Sequence, residues 1–114
     1  MIDLRHVWLP QIITYAELIS TGQLEREWLG QTTPMTSVTD PDELHEQIFE
    51  DIDAENVWAE HRHNSGLPTA AVRAVDGFLT ALLAIDESDA QRVVASRAWG
   101  EAKEAGKALL AIVG

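Results

Sequence analysis

Apolar residues return at three- and four-residue intervals along most of this chain, and that periodicity does most to limit its fold. Ile12, Ala16 and Ile19 mark one face of a helix that Pro10 opens from a first-turn position and Gly22 stops. A short second helix is expected over residues 23–29, closed by Gly30, and the polar stretch 31–37 is a loop by composition. The third helix has the strongest start signal: Asp40 as cap, Pro41 at the first helical position, Asp42 and Glu43 in the first turn. Leu44, Ile48, Phe49 and Ile52 share one side of it, and residues 53–55 break or bend the chain before Val57 and Trp58 resume the pattern. Residues 63–68 form a loop. Val72, Val75, Leu79 and Leu82 give a core-facing stripe to a helix over 69–85. A capping box from Ser88 to Gln91 opens one final helix, with Val94, Ala98, Ala102, Ala105, Leu109 and Ile112 on one side. Gly100 and Gly106 each weaken that helix by about 1 kcal/mol relative to Ala, and mark close packing or fraying. Before Pro10, Ile2, Leu4 and Trp8 alternate as in a strand and equally suit a cap over the bundle. Strand signals are otherwise scarce. The expected fold is all-α, one antiparallel helical bundle of four to six helices spanning residues 1–114.

Charge narrows the function. Nineteen acidic residues against eight Lys and Arg give a formal net charge of −11. A general nucleic-acid binder needs the opposite sign to displace counterions from phosphate, and so does adsorption to an anionic membrane. With no cysteine, disulfide frameworks, thiolate nucleophiles and Cys-based zinc sites are excluded. Pro10 interrupts the N-terminal apolar stretch, and the oiliest segment, 78–85, falls far short of the roughly 20 residues that span a bilayer. A cytoplasmic protein without membrane contact is expected.

The acid is concentrated. Between Glu27 and His61 there is no Lys or Arg, while ten carboxylates are present, so nearly all the net charge sits in one third of the chain. On the third helix, Asp42, Glu43, Glu46, Glu50 and Asp53 project within an arc of roughly 100° opposite the apolar stripe. Like charges at i,i+4, as in Asp42/Glu46 and Glu46/Glu50, cost a few tenths of a kcal/mol each, and interspersed lysines would relieve them. The run reads either as a solvated face or as a docking surface for a basic protein whose own ligand is anionic, such as a nuclease. Trp58 suits an aromatic anchor at that surface or the core. Trp8 and Trp28 are assigned to the core.

Other chemistry has weak support. His61 and His63, with Glu60 and His45, suggest a metal site, but two His at i,i+2 on a helix diverge by about 200° and no HExxH pattern backs them. A His pair at a helix end, interacting with the dipole and nearby carboxylates, is the other reading. Ser65 near His63 lacks a nucleophile-elbow scaffold, and no glycine-rich phosphate loop exists. Neither an enzyme nor a cofactor is expected. The alternatives are a regulatory module for another basic partner and a small enzyme using Glu60, His61 and His63.

The run from Ile19 to Leu29 (ISTGQLEREWL) is similar to the segment, turn and amphipathic helix that open the colicin D immunity proteins. The run from Asp42 to Ala54 (DELHEQIFEDIDA) resembles that family's acidic helix. Gly66 and Leu67, followed by Val72 to Val75, look like its last helix. The resemblance covers about residues 12–84, and an extra C-terminal helix, 85–114, lies outside it. It implies a small helical inhibitor that covers the active site of a tRNA-cutting toxin and imitates RNA charge, without touching nucleic acid itself. The contact residues it implies are Asp42, Glu43, Glu46, Glu50, Asp51, Asp53 and Glu55. Similar inhibitors also guard against contact-dependent growth-inhibition toxins.

Overall fold

Three long helices form the frame. In the computed structural model, which describes residues 3–113, α1 (Leu9–Ser20) buries Leu9, Ile12, Ala16 and Ile19. After α2 (Gln23–Trp28), α3 (Pro41–Glu46) and α4 (Ala54–His61) comes α5 (Thr69–Leu83), which buries Ala71, Val75, Phe78, Leu79 and Leu82. The stripe expected on α5 is therefore centred on Val75, Leu79 and Leu82, with Val72 only half-buried. The chain closes with α6 (Ala90–Ala95) and α7 (Arg97–Val113), and α7 packs extensively on both α1 and α5. No strand forms among the described residues, and the molecule is an all-α, single-domain helical bundle. No described helix is long and apolar enough to cross a membrane.

Two expectations at the C-terminal end are corrected. The single final helix is two, because Ser96 adopts an extended backbone (ψ 154°) that resets the helical phase. Its hydroxyl accepts from Trp99 N at 3.2 Å and so caps the new start. The buried stripe is accordingly Val93, then Trp99, Ala102, Gly106 and Leu109, while Ile112 is exposed. The cap of α6 is Asp89, accepting from Gln91 N at 3.1 Å, rather than a box begun by Ser88. Gly106 marks close packing: a Cβ there would stand 3.2 Å from Ala16 O on α1. The tail is thus integral to the core.

Before Pro10 the chain makes a wide helical turn, Leu4–Trp8, in which Trp8 N reaches back to Asp3 O. Leu4 and Trp8 are buried, so this segment caps the bundle; Ile2 lies outside the described residues.

Side-chain pins seat the acidic middle of the chain on this frame. Tyr15 on α1 donates to Gln47 Oε1 at 3.0 Å. Trp28 Nε1 donates to Val38 O at 2.9 Å, fixing the loop before α3 and burying Val38. Trp58 on α4 stacks on Trp8, ring centroids 5.6 Å apart, and donates its Nε1 to Asp76 Oδ1 on α5 at 2.6 Å. Arg62 completes that last pin by pairing with the same carboxylate.

Candidate docking surface

Capping physics places the first acids. Asp40 is extended, its Oδ1 accepts from Glu43 N at 2.8 Å, and Pro41 follows with the fixed φ a first helical turn requires. Asp42 and Glu43 then lie at the positive end of the α3 dipole. From Gln47 to Asp51 the helix widens, Ile52 N bonding back to Gln47 O at 3.1 Å. Asp53 is left-handed (φ 49°, ψ 47°), a conformation that Asp tolerates better than most residues, and it turns the chain into α4, where Glu55 occupies the first turn. The continuous helix face expected for Asp42, Glu43, Glu46, Glu50 and Asp53 is therefore distributed over α3, a wide turn and a left-handed corner.

Asp42, Glu46, Glu50, Asp51, Asp53 and Glu55 are exposed, and Glu43 is half-buried where its Oε1 accepts from Gln47 Nε2 at 3.0 Å. None of these seven carboxylates has a cationic partner within 4.0 Å among the described residues. The ion pairs lie elsewhere, as in Lys103–Glu25, Arg62–Asp76 and Arg97–Glu101. The acids are close enough to repel. The Glu43 charge first, then Glu50, with smaller contributions from desolvation, Asp51 and Asp40, pushes the Glu46 carboxyl above its ordinary range. These charges form one cluster, and Asp42, Asp53 and Glu55 flank it along the chain.

Two residues leave the surface. Trp58 is 4 % exposed and committed to Trp8 and Asp76, so it belongs to the core rather than to a docking face. Glu27 also turns inward, accepting from Gln23, from Met35 N at 3.1 Å and from both the N and Oγ1 of Thr36. The Gln23 hydrogen bond holds its carboxyl below the ordinary value against the opposing effect of burial, and the loop contacts add to that.

A cavity of about 340 Å³, which sequence reasoning missed, opens beside the acidic cluster. Trp28, Phe49, Leu82 and Trp99 contribute apolar wall, and Asp42, Asp86 and Glu87 contribute carboxylates. The wall is assembled from distant parts of the chain: Trp28 and Trp99 pack with ring centroids 5.2 Å apart, and His45 tilts on Phe49 at 4.8 Å.

Ser65 Oγ accepts from Leu67 N at 3.2 Å, which closes its turn. Among the described residues no group of three or more His, Asp and Glu is arranged to hold a metal ion. Comparison with known families, curated proteins and solved structures finds no match.

Proposed function

We propose that this protein is an immunity-type inhibitor that acts in the cytoplasm, binding the basic active-site cleft of a cognate nuclease toxin through the acidic surface from Asp42 to Glu55. The observation that carries the proposal is the set of seven carboxylates with no cationic partner among the described residues, whereas seven of the other twelve acids have a basic partner. Crowding them raises the free energy of the unbound protein slightly, and a partner presenting Lys and Arg for RNA phosphates relieves that cost on docking. A concentrated negative field also speeds encounter with a basic protein and rejects acidic ones. The resemblance to colicin D immunity proteins supports a tRNA-cutting toxin as the partner, and occlusion alone suffices for inhibition.

Co-expression tests this directly. A toxic nuclease domain encoded beside this chain should arrest growth when expressed alone and permit growth when the chain is co-expressed. Replacing His61 and His63 by Ala should leave protection intact. Loss of protection in that variant, with the fold retained, would support the histidine alternative instead.

A further inference from the structure

We infer that the cavity beside the acidic cluster receives an arginine side chain of the partner, an anchor that rests on the docking surface proposed above. Its walls and its rim ask for different things. The indole N–H groups of Trp28 and Trp99 are committed elsewhere, to Val38 O at 2.9 Å and to Glu25 Oε1 at 3.4 Å, so neither is a donor to the cavity; half-buried Trp28 supplies the accessible ring surface, and Trp99, 1 % exposed, backs the wall. Phe49 and Leu82 continue that apolar wall. Asp42, Asp86 and Glu87 supply three carboxylates against one histidine, His45, and one hydroxyl, Ser88, and no Lys or Arg among the described residues lines the cavity. The nearest cationic contact to any of the three is Arg92, 4.0 Å from Glu87 and closer, at 3.8 Å, to Asp89. An anion is repelled by such a site, and a purely apolar group leaves the carboxylates unused.

A cation with a flat, weakly hydrated body satisfies both parts. Guanidinium stacks on aromatic faces and presents a fork of donors to carboxylates, whereas an ammonium is compact and strongly hydrated. The volume falls within the range of about 300–1,000 Å³ typical of ligand pockets and admits one long side chain. Asp42 belongs to both the cavity rim and the acidic surface, so an arginine seated here is continuous with the rest of the docked face. Buried anchors of this kind dominate interface energies, whereas rim charges mainly set rate and specificity.

The test uses the full chain and the peptide acetyl-Gly-Arg-Gly-amide, followed by NMR of the four tryptophan indole N–H signals. Saturable shifts of Trp28 and Trp99 are expected, with Trp8 and Trp58 unmoved. The peptides with citrulline, norleucine or lysine in place of arginine should bind at least about tenfold more weakly. The combined variant Asp42→Asn, Asp86→Asn and Glu87→Gln should lose a similar factor for the arginine peptide. Absence of shifts, or equal binding of the citrulline or lysine peptide, would overturn the inference. No shift together with weaker nuclease binding by Glu46→Lys/Glu50→Lys removes the cavity and keeps the acidic surface. Arginine binding in the cavity, with nuclease affinity indifferent to both sets of substitutions, removes the partner from both proposals.

Discussion

Gly100 and Gly106 share helix α7 and make opposite demands. At Gly100 a Cβ meets nothing within 4 Å, so Gly100→Ala should gain the helix-propensity difference, about 1 kcal/mol. At Gly106 the new methyl would press on Ala16 O and Phe78, and backbone in the middle of a packed helix cannot yield. Overpacking of about 1–3 kcal/mol exceeds the propensity gain, so Gly106→Ala should be destabilising by about 1 kcal/mol. Chemical denaturation of the two variants checks the pair, and equal signs would contradict the close approach of α1 and α7. Glu46 gives a second prediction at this scale. Its carboxyl has a raised pKa in the folded state, so the fold binds this proton more tightly than the unfolded chain does. The resulting penalty is full above the raised value and disappears as pH falls through it toward the ordinary carboxylate range. Glu46→Gln should therefore raise Tm at neutral pH and match the parent at acid pH. Glu27 has the opposite sign: its lowered carboxyl contributes stability above the ordinary range and loses it on acidification.

At the scale of elements, the acidic middle is held as much by pins as by packing. Asp76 receives Trp58 Nε1 and Arg62 together; burial pushes its carboxyl up, but those hydrogen bonds and the Arg62 charge outweigh burial and hold it low. The Arg62 pair is about one-third exposed and contributes little on its own. Asp76→Ala, however, leaves a buried indole N–H unpaired, and should cost about 1–3 kcal/mol. Arg62→Met should cost less. Denaturation of both variants, with amide exchange across α4, measures the difference, and equal losses would show that the ion pair is the stabilising part. These elements also show what a sequence discloses. The start of α3 was legible because Asp40, Pro41 and Glu43 act within one turn, and the break at Asp53 because the apolar pattern lapses there. The phase of α7 was not legible: Ser96 resets it through a backbone angle, and Trp99 is placed by partners such as Glu25, distant in sequence. Glu27 carried the same charge in the sequence as Glu46, and only the loop at Met35 and Thr36 separates a structural acid from a surface one. The aromatic cavity was invisible for the same reason, since its walls come from α2, α5 and α7 and from the segment after α3.

Over the whole molecule, charge and framework are divided between different parts of the chain. The helices α1, α5 and α7 carry the packing, and the pairs Lys103–Glu25, Arg97–Glu101 and Lys107–Glu104 balance charge on and near them. The stretch from Glu27 to His61 carries the excess negative charge and presents most of it to solvent. Association with a basic nuclease should consequently be fast at low ionic strength and slow steeply as salt rises, which stopped-flow mixing measures. The affinity of the cognate nuclease domain for Glu46→Lys/Glu50→Lys, measured by calorimetry at physiological salt, is the most direct test. A lysine at position 46 faces Asp42 at i,i+4, while its contact with a second lysine at position 50 keeps the like-charge pair that Glu46 and Glu50 already make, so the free protein should fold about as well as the parent. Its Kd should nonetheless rise by about a hundredfold or more, because like charges then face each other across the interface. An unchanged Kd would mean that the carboxylates face only water, and would contradict the account.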